Sequence, residues 1–518
     1  MPPPHERHYY TTDHDVGSPT NPLPFLGQDY KKLLHQSLRR KKLYIDELFP
    51  PNSRSIGTLD KETDVDYKNI KWKRPSELVS KPCFTVDGIS RFDYKQGSKL
   101  GNCWFLASIG TLTSTKDIIN QVIPADQSFR INYAGIFHFR FWRFGKWIDV
   151  VVDDRLPTID DDLLFVHSKT SNEFWPALLE KAYAKVCGSY ADLDGGFISE
   201  ALMDFTGGVH IQFALNEAPS YLWNIMYRAA KSKTLMGCST YHGGSREAVS
   251  SNGIVGGHAY TVTGVSQVMS KGNPVHLVRV LNPWGKTEWN GDWSDGSSLW
   301  NTVSVKDSKW REKLDNGEFW LALIMLDAMK DFTKNFKTLD ICCLCPDFLD
   351  RSPGCHWKSQ RNFGKWIAGT TAGGSIDNTE TFWKNPQFRV RIEKLSEDCT
   401  HEEGAENTLV SLMQNHEKRN RSSQKKKNYM IGFYVFKMRG ESGKFSAEFF
   451  RDKRPVAITP FDGLREVMEF LWLEPGENLI VPCTKNPGES ASFVLSIFSK
   501  HETHFEYIEE TEENEDDP

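Results

Sequence analysis

From Leu339 to Lys500 the chain repeats one local pattern: short runs rich in β-branched and aromatic residues, PQFRVRIE, NTLVSLM, YMIGFYVFKM, NLIVPC and SFVLSIF, parted by Gly, Pro, Asn or charge. Short strands at this spacing close on one another as an antiparallel sandwich with a core of its own. Upstream the pattern changes. GIFHFRFWRFGKWIDVVVDDRLP, Gly135 to Pro157, carries two strand runs around the turn-prone Gly145. EFWPALLEKAYAKVCGSY, Glu173 to Tyr190, reads as a helix with Phe174, Leu178, Tyr183 and Val186 near one face. FTGGV, Phe205 to Val209, is a turn signal between two such mixed halves. The predicted organisation is a polar, proline-bearing arm over 1–24, one half over 25–207, a second over 208–334 with a cleft between the halves, a sandwich over 339–500 and an acidic disordered tail over 501–518. A chain of 518 residues needs such a division, because single cores stop growing well below that length.

A net charge of −5 with 25% charged residues gives no surplus of positive charge for nucleic acid. MPPPHERHYYTTDHDVG lacks the apolar core of a signal peptide, and no stretch approaches the ~20 apolar residues that span a bilayer, so a soluble, cytoplasmic protein is expected. Ten cysteines scattered without regular spacing point to free thiols in a reducing compartment. CCLC, Cys342 to Cys345, has no second such pair and reads as structural, and YADLDGG departs from a calcium loop at its first position, Tyr190. Within the sandwich lie an acidic patch, Glu397 to Glu406, and a basic run, Lys418 to Lys427; the basic run reads as a solvated loop, with anionic lipid or the acidic loop of the same sandwich as candidate partners.

The chemistry centres on QGSKLGNCWFLASIGTL, Gln96 to Leu112. Gly101 and Asn102 are turn and cap residues before the apolar run WFLASIGTL, which places Cys103 in the first turn of a buried helix, where the macrodipole favours a thiolate. Alone, the segment fits a buried structural thiol better. A base would come from elsewhere in the chain, and GIVGGHAYTVTGV supplies His258 after two glycines and before an alternating strand pattern. Asn282, in LNPWGKTEWNGDWSDGS, sits where a strand meets a loop and offers an amide to orient an imidazole.

The set QG…GNCW, GGHAYTVTG and NPWG…EWNGDWSD closely resembles the protease core of the calpains, papain-like cysteine proteases activated by calcium. NPLPFLGQDYKKL, WKRPSEL, GIFHFRFW, VVVDDRLPT, FWPALLEKAYAK, DFTGGV and NGEFW resemble that core too, and TTAGGS with TFWKNPQFRV resembles the family's C2-like sandwich. The resemblance implies an α+β fold: a papain-like core of two subdomains, then an antiparallel C2-like β-sandwich. It implies Cys103 as nucleophile, His258 as base and then acid, Asn282 as its orienter, Gln96 as side-chain donor to the oxyanion, and Trp284 as the shield of the His–Asn pair. Gln96 precedes Cys103 by seven residues where the family usually has six, so SKL must bulge or Gln96 must point differently.

The same resemblance implies Ca2+ in each half. Asp93 and Glu173 match carboxylate ligands in the first, with Val86 and Gly88 at carbonyl positions. Glu288, Asp295 and Glu318 match in the second, with Leu314 giving a carbonyl and Asn316 standing where the family usually has aspartate, which implies a weaker second site. The chain ends in EENEDDP without a five-EF-hand domain, so small-subunit pairing is not expected. The expected function is limited proteolysis of intracellular proteins. A silent scaffold that binds partners or membrane through the sandwich is the alternative, and a transglutaminase is disfavoured because it takes Asp where Asn282 stands.

Overall fold

A computed structural model of the chain describes residues 16–508, apart from 61–64, 242–246, 305, 308–309, 311–313, 315, 324–330, 351–354, 396–405, 416–427 and 441–442. The first fifteen residues, the basic run, all but Glu406 of the acidic patch and the tail from 509 thus lie outside the described residues. The chain divides into two compact units, one from Val16 to Cys343 and one from Leu344 onward.

In the first unit, Ile136–Arg143 and Lys146–Asp153 form an antiparallel hairpin running from the pair Ile136 and Asp153 to the pair Arg143 and Lys146. Phe144 and Gly145, both at positive φ (47° and 90°), make its two-residue turn, a backbone whose twist matches that of the strands. The helix Trp175–Cys187 packs beside it, and Tyr183 joins Phe105, Phe141 and Phe205 in an aromatic cluster. The reading of one apolar face here is corrected by the structure. Glu180, Lys181 and Lys185 are buried as well, while Val186 is partly exposed. The buried charges persist because each is matched: Lys181 donates to Asp153 Oδ1 at 2.6 Å and to two backbone carbonyls, and Lys185 donates to Asp46 Oδ2 at 2.6 Å and to the Val151 carbonyl at 2.6 Å.

The helix Ile198–Thr206 ends at Gly207, which takes the left-handed conformation, and the strand Val209–Ala214 begins the second half. A Cβ on Gly208 would lie 2.4 Å from the Cys343 carbonyl oxygen, so the FTGGV turn needs its glycines for close approach as well as for φ. The second half is one antiparallel sheet in the order Glu318–Leu323, Asn273–Leu281, Ala259–Ser270, Leu235–Thr240, Phe336–Cys343, Val209–Ala214. Phe336–Cys343 inserts between two earlier strands, so the unit ends at Cys343, not at the expected 334, and Cys342 and Cys343 lie within that strand without forming a disulfide.

The second unit is a sandwich. A four-stranded sheet, Lys358–Trp366, Ala491–Ser499, Thr408–Asn415, Glu466–Leu471, faces a five-stranded one, Ala457–Ile458, Ile431–Lys437, Gly476–Thr484, Phe388–Leu395, His501–Tyr507. Trp366, Val410 and Leu495 from one sheet meet Phe388, Phe433 and Ile480 from the other in its core. The last strand carries the sandwich to Tyr507, past the expected end at 500. Eight described cysteines are not in a disulfide, Cys355 is disulfide-bonded, and no described helix is long and apolar enough to cross a membrane.

Candidate active site

Cys103 opens the helix Cys103–Leu112, every residue of which is buried. The helix lies against the strand that follows His258: Thr261 Oγ1 donates to the Ala107 carbonyl at 2.7 Å, and a Cβ on Gly110 would come within 2.3 Å of that hydroxyl. Glycine at 110 thus lets an element of one half approach an element of the other. Asn102 occupies the cap position, yet its side chain makes no capping bond. Its amide contacts Glu180 Oε1 at 2.5 Å instead, and Glu180 Oε2 accepts the Val166 N–H at 2.9 Å.

Across from Cys103, the backbone N–H of His258 donates to Thr240 Oγ1 at 2.9 Å and its ring is wholly buried. Asn282 fixes which ring nitrogen carries a proton. Both amide hydrogens of Asn282 are spent on carbonyls, Lys286 at 3.0 Å and Thr287 at 3.1 Å, so Oδ1 faces the imidazole and accepts from His258 Nε2 at 2.9 Å. Nδ1 is left facing Cys103. The Cys103 thiol, His258 and the Glu247 carboxylate have ligating atoms all within 4.8 Å of one another. Burial disfavours the imidazolium, but the neighbouring Cys103 and Glu247, together with the Asn282 bond, outweigh it and raise His258 to about 9. The Trp284 ring lies 4.9 Å from the His258 ring, and its backbone N–H also donates to Asn282 Oδ1, at 3.1 Å.

Gln96 is placed differently from a free oxyanion donor. Its Nε2 donates to the Leu100 carbonyl at 3.0 Å, folding the longer Gly97–Leu100 loop back on itself, and its Oε1 accepts the Trp284 indole N–H at 3.0 Å. These residues, with Glu247 and Lys286, line a cleft of about 670 Å³.

The residues that the resemblance assigns to calcium form two groups. In the first, Glu173 is buried and accepts from the Val86 N–H at 2.6 Å and the Ser168 hydroxyl at 2.7 Å, and Asp93 accepts from the Ser90 N–H at 2.6 Å. Burial, opposed by those two bonds and reinforced by the charges of Asp93 and Asp87, raises the Glu173 carboxyl, and burial raises Asp93. Gly88 ends the adjoining turn at φ 93°. Mutually repelling carboxylates rich in oxygen donors fit a hard divalent cation. In the second group, Glu288 Oε1 accepts from the N–H groups of Asn316 and Gly317, Asp295 from that of Leu314, and Asn316 Oδ1 from that of Glu318. Here the fit is partial. The Glu318 carboxylate is already held by Arg91 at 3.0 and 3.2 Å, and Arg279 lies 3.5 Å away.

Arg91, Glu180 and Glu247 were not singled out from the sequence. Glu247 lies in SREAVSS, a polar stretch with no periodicity, and Arg91 meets a residue 227 positions away. Glu180 carried a signal: an acid directly after the apolar run WPALL.

A thiol at a helix N-terminus, facing a buried imidazole that an amide oxygen orients, defines the class of thiol proteases. Residues 44–343 match the model of the calpain family cysteine protease, and residues 362–498 that of domain III of the calpain large subunit. The chain is 44% identical to the calpain-1 catalytic subunit of Mus musculus over 497 residues, 94% of this chain and 68% of that one. With the corresponding proteins of Bos taurus and Gallus gallus it shares 44% and 40% identity, again over 94% of its length. The chain belongs to the calpain family of cysteine proteases.

Proposed function

We propose that this chain is a calcium-dependent endopeptidase making limited cuts in intracellular proteins, with Cys103 as nucleophile. The observation that carries the reading is His258 held between Cys103 and Asn282 with Nε2 committed to the amide. The Cys103 sulfur, as thiolate, attacks the scissile carbonyl carbon, and its electron pair moves onto the carbonyl oxygen, stabilised by the Cys103 N–H and the Gln96 amide. For that, Gln96 gives up its bond to Leu100. His258 then passes its Nδ1 proton to the leaving amine as the C–N bond breaks, leaving a thioester. Next, His258 takes a proton from water, the hydroxide attacks the thioester, and the C–S bond breaks to return the thiolate and release the carboxylate product. Asn282 keeps the imidazole in one orientation throughout, and Trp284 keeps water from that bond.

Asp93, Glu173 and the carbonyls of Val86 and Gly88 would hold calcium, and Glu288, Asp295, Asn316, Glu318 and the Leu314 carbonyl would hold it more weakly; bound there, it would supply positive charge that relieves the clustered carboxylates. The protein works in the cytoplasm on protein substrates, and the sandwich is the candidate contact with anionic lipid. Purified chain should cleave casein when calcium is added, and Cys103→Ser should abolish cleavage. A folded wild type that stays silent at saturating calcium would establish the scaffold alternative in its place.

A further inference from the structure

We infer that Cys103, His258 and Glu247 form a binding site for a borderline-soft divalent cation of the zinc class, and that its occupancy switches the protease off. The donor set is one sulfur, one imidazole nitrogen and one carboxylate oxygen, the mixture that zinc takes and that calcium, which prefers all-oxygen shells, does not. The spacing suits it. Zinc bonds of about 2.3 Å to sulfur and about 2.0–2.2 Å to nitrogen and oxygen put tetrahedral ligands roughly 3.4–3.6 Å apart. His258 Nδ1 and Glu247 Oε1 already stand 3.5 Å apart, and the Cys103 sulfur lies within 4.8 Å of both.

A second observation points to a ligand independently. Nδ1 of His258 is fully buried and has no hydrogen-bond partner of good geometry, although Nε2 is committed to Asn282. Metal-binding histidines are set up in this way, with the far ring N–H donated to a fixed oxygen so that the near nitrogen is the one the metal takes, here by displacing the Nδ1 proton. Asn282, itself pinned by two carbonyls, is such a fixed oxygen. Glu247 supplies the remaining ligand from the cleft wall, with its backbone at φ 53°. Three protein ligands leave the fourth position to water from the cleft, beside Gln96 and Trp284. A cation bound there takes the sulfur lone pair needed for attack and the Nδ1 position needed for proton transfer. One family of divalent ions would then activate the chain through oxygen clusters, and another would inhibit it through the reacting pair.

The inhibitory effect rests on the reading of Cys103 and His258 as the reacting residues, whereas binding does not, so the experiment measures both. Co2+ is titrated into the full chain in saturating calcium and followed by thiolate-to-metal charge-transfer absorption, and Zn2+ is titrated against casein cleavage. One equivalent of Co2+ should develop the band, Zn2+ should remove it, and Cys103→Ser should lack it. Glu247→Gln should weaken binding at least about tenfold, the lower end of what losing an outer-shell partner costs, and Glu247→His, which restores a ligand, should recover it. The zinc concentration for half-inhibition should follow the same order across the variants. An active protease that develops no band, or whose zinc affinity is equal in wild type and Glu247→Gln, overturns the inference. A band in a chain without proteolysis would instead sink the proposed function and leave the site standing.

Discussion

Replacing Glu180 by Gln should reverse the order of stability between variant and wild type as pH rises. Glu180 is wholly buried, and burial lifts its carboxyl from 4.5 to about 8 against the opposing Val166 N–H and Asn102 amide. The sign follows from proton counting. Between 4.5 and 8 the folded chain holds a proton that the unfolded chain has released, so wild-type stability falls by about 1.4 kcal/mol per pH unit across that window and levels off above it. The loss relative to acid is roughly 2 kcal/mol at pH 6 and roughly 4 kcal/mol at pH 8, approaching roughly 5 kcal/mol above it. Gln has no such window. It keeps one acceptor and turns an N–H toward the other donor, a pH-independent cost of about 1–3 kcal/mol. The curves should therefore cross near pH 6, with the variant the less stable at pH 5 and the more stable at pH 8. Tyr190, the other titrating neighbour, is pushed well above its ordinary value by burial and then by Glu180 and Asp153, so it stays neutral across this range. Two compact units make a single unfolding free energy ill-defined, so the measurement is the difference in thermal midpoint between the two proteins at pH 5, 6.5 and 8. A difference that does not change with pH would refute the reasoning and mean that Glu180 is an anion held by Asn102 and Val166.

His258, raised to about 9, should keep its proton up to that pH, so proteolysis should decline through about pH 9 and not near 6.5. Asn282→Ala removes one of the bonds that raise it and should move this limb of the pH–rate profile downward. Lys181→Met leaves Asp153 charged and buried without its partner and should cost about 3–5 kcal/mol, read as a fall in the first thermal midpoint. Glu173→Gln should raise the calcium concentration for half-maximal casein cleavage, with less effect on the rate once calcium saturates.

The strands and the Cys–His–Asn set were legible because each has a local cause. The β-branched run in VVVDD and the alternation in AYTVTGV report an extended backbone wherever they fall, and glycines at 101, 256 and 257 mark where chain must turn or approach closely. What stayed hidden is set by partners far along the chain. FKTLDICC reads as a strand, but nothing in its pattern says that it pairs with Leu235–Thr240 and Val209–Ala214; that assignment moves the boundary from 334 to Cys343. The helix Trp175–Cys187 looks amphipathic in isolation, and its charges would be solvated on an exposed face. They are buried because Asp46, Asp153 and several carbonyls arrive to meet them. Gln96 shows the same dependence at the site itself. The extra residue before Cys103 was visible in the spacing, yet its effect came from where Leu100 and Trp284 fall, since those two groups take up the amide that the spacing alone would leave free. The local code therefore names the atoms proposed to react, and packing decides which of them are already engaged before substrate arrives.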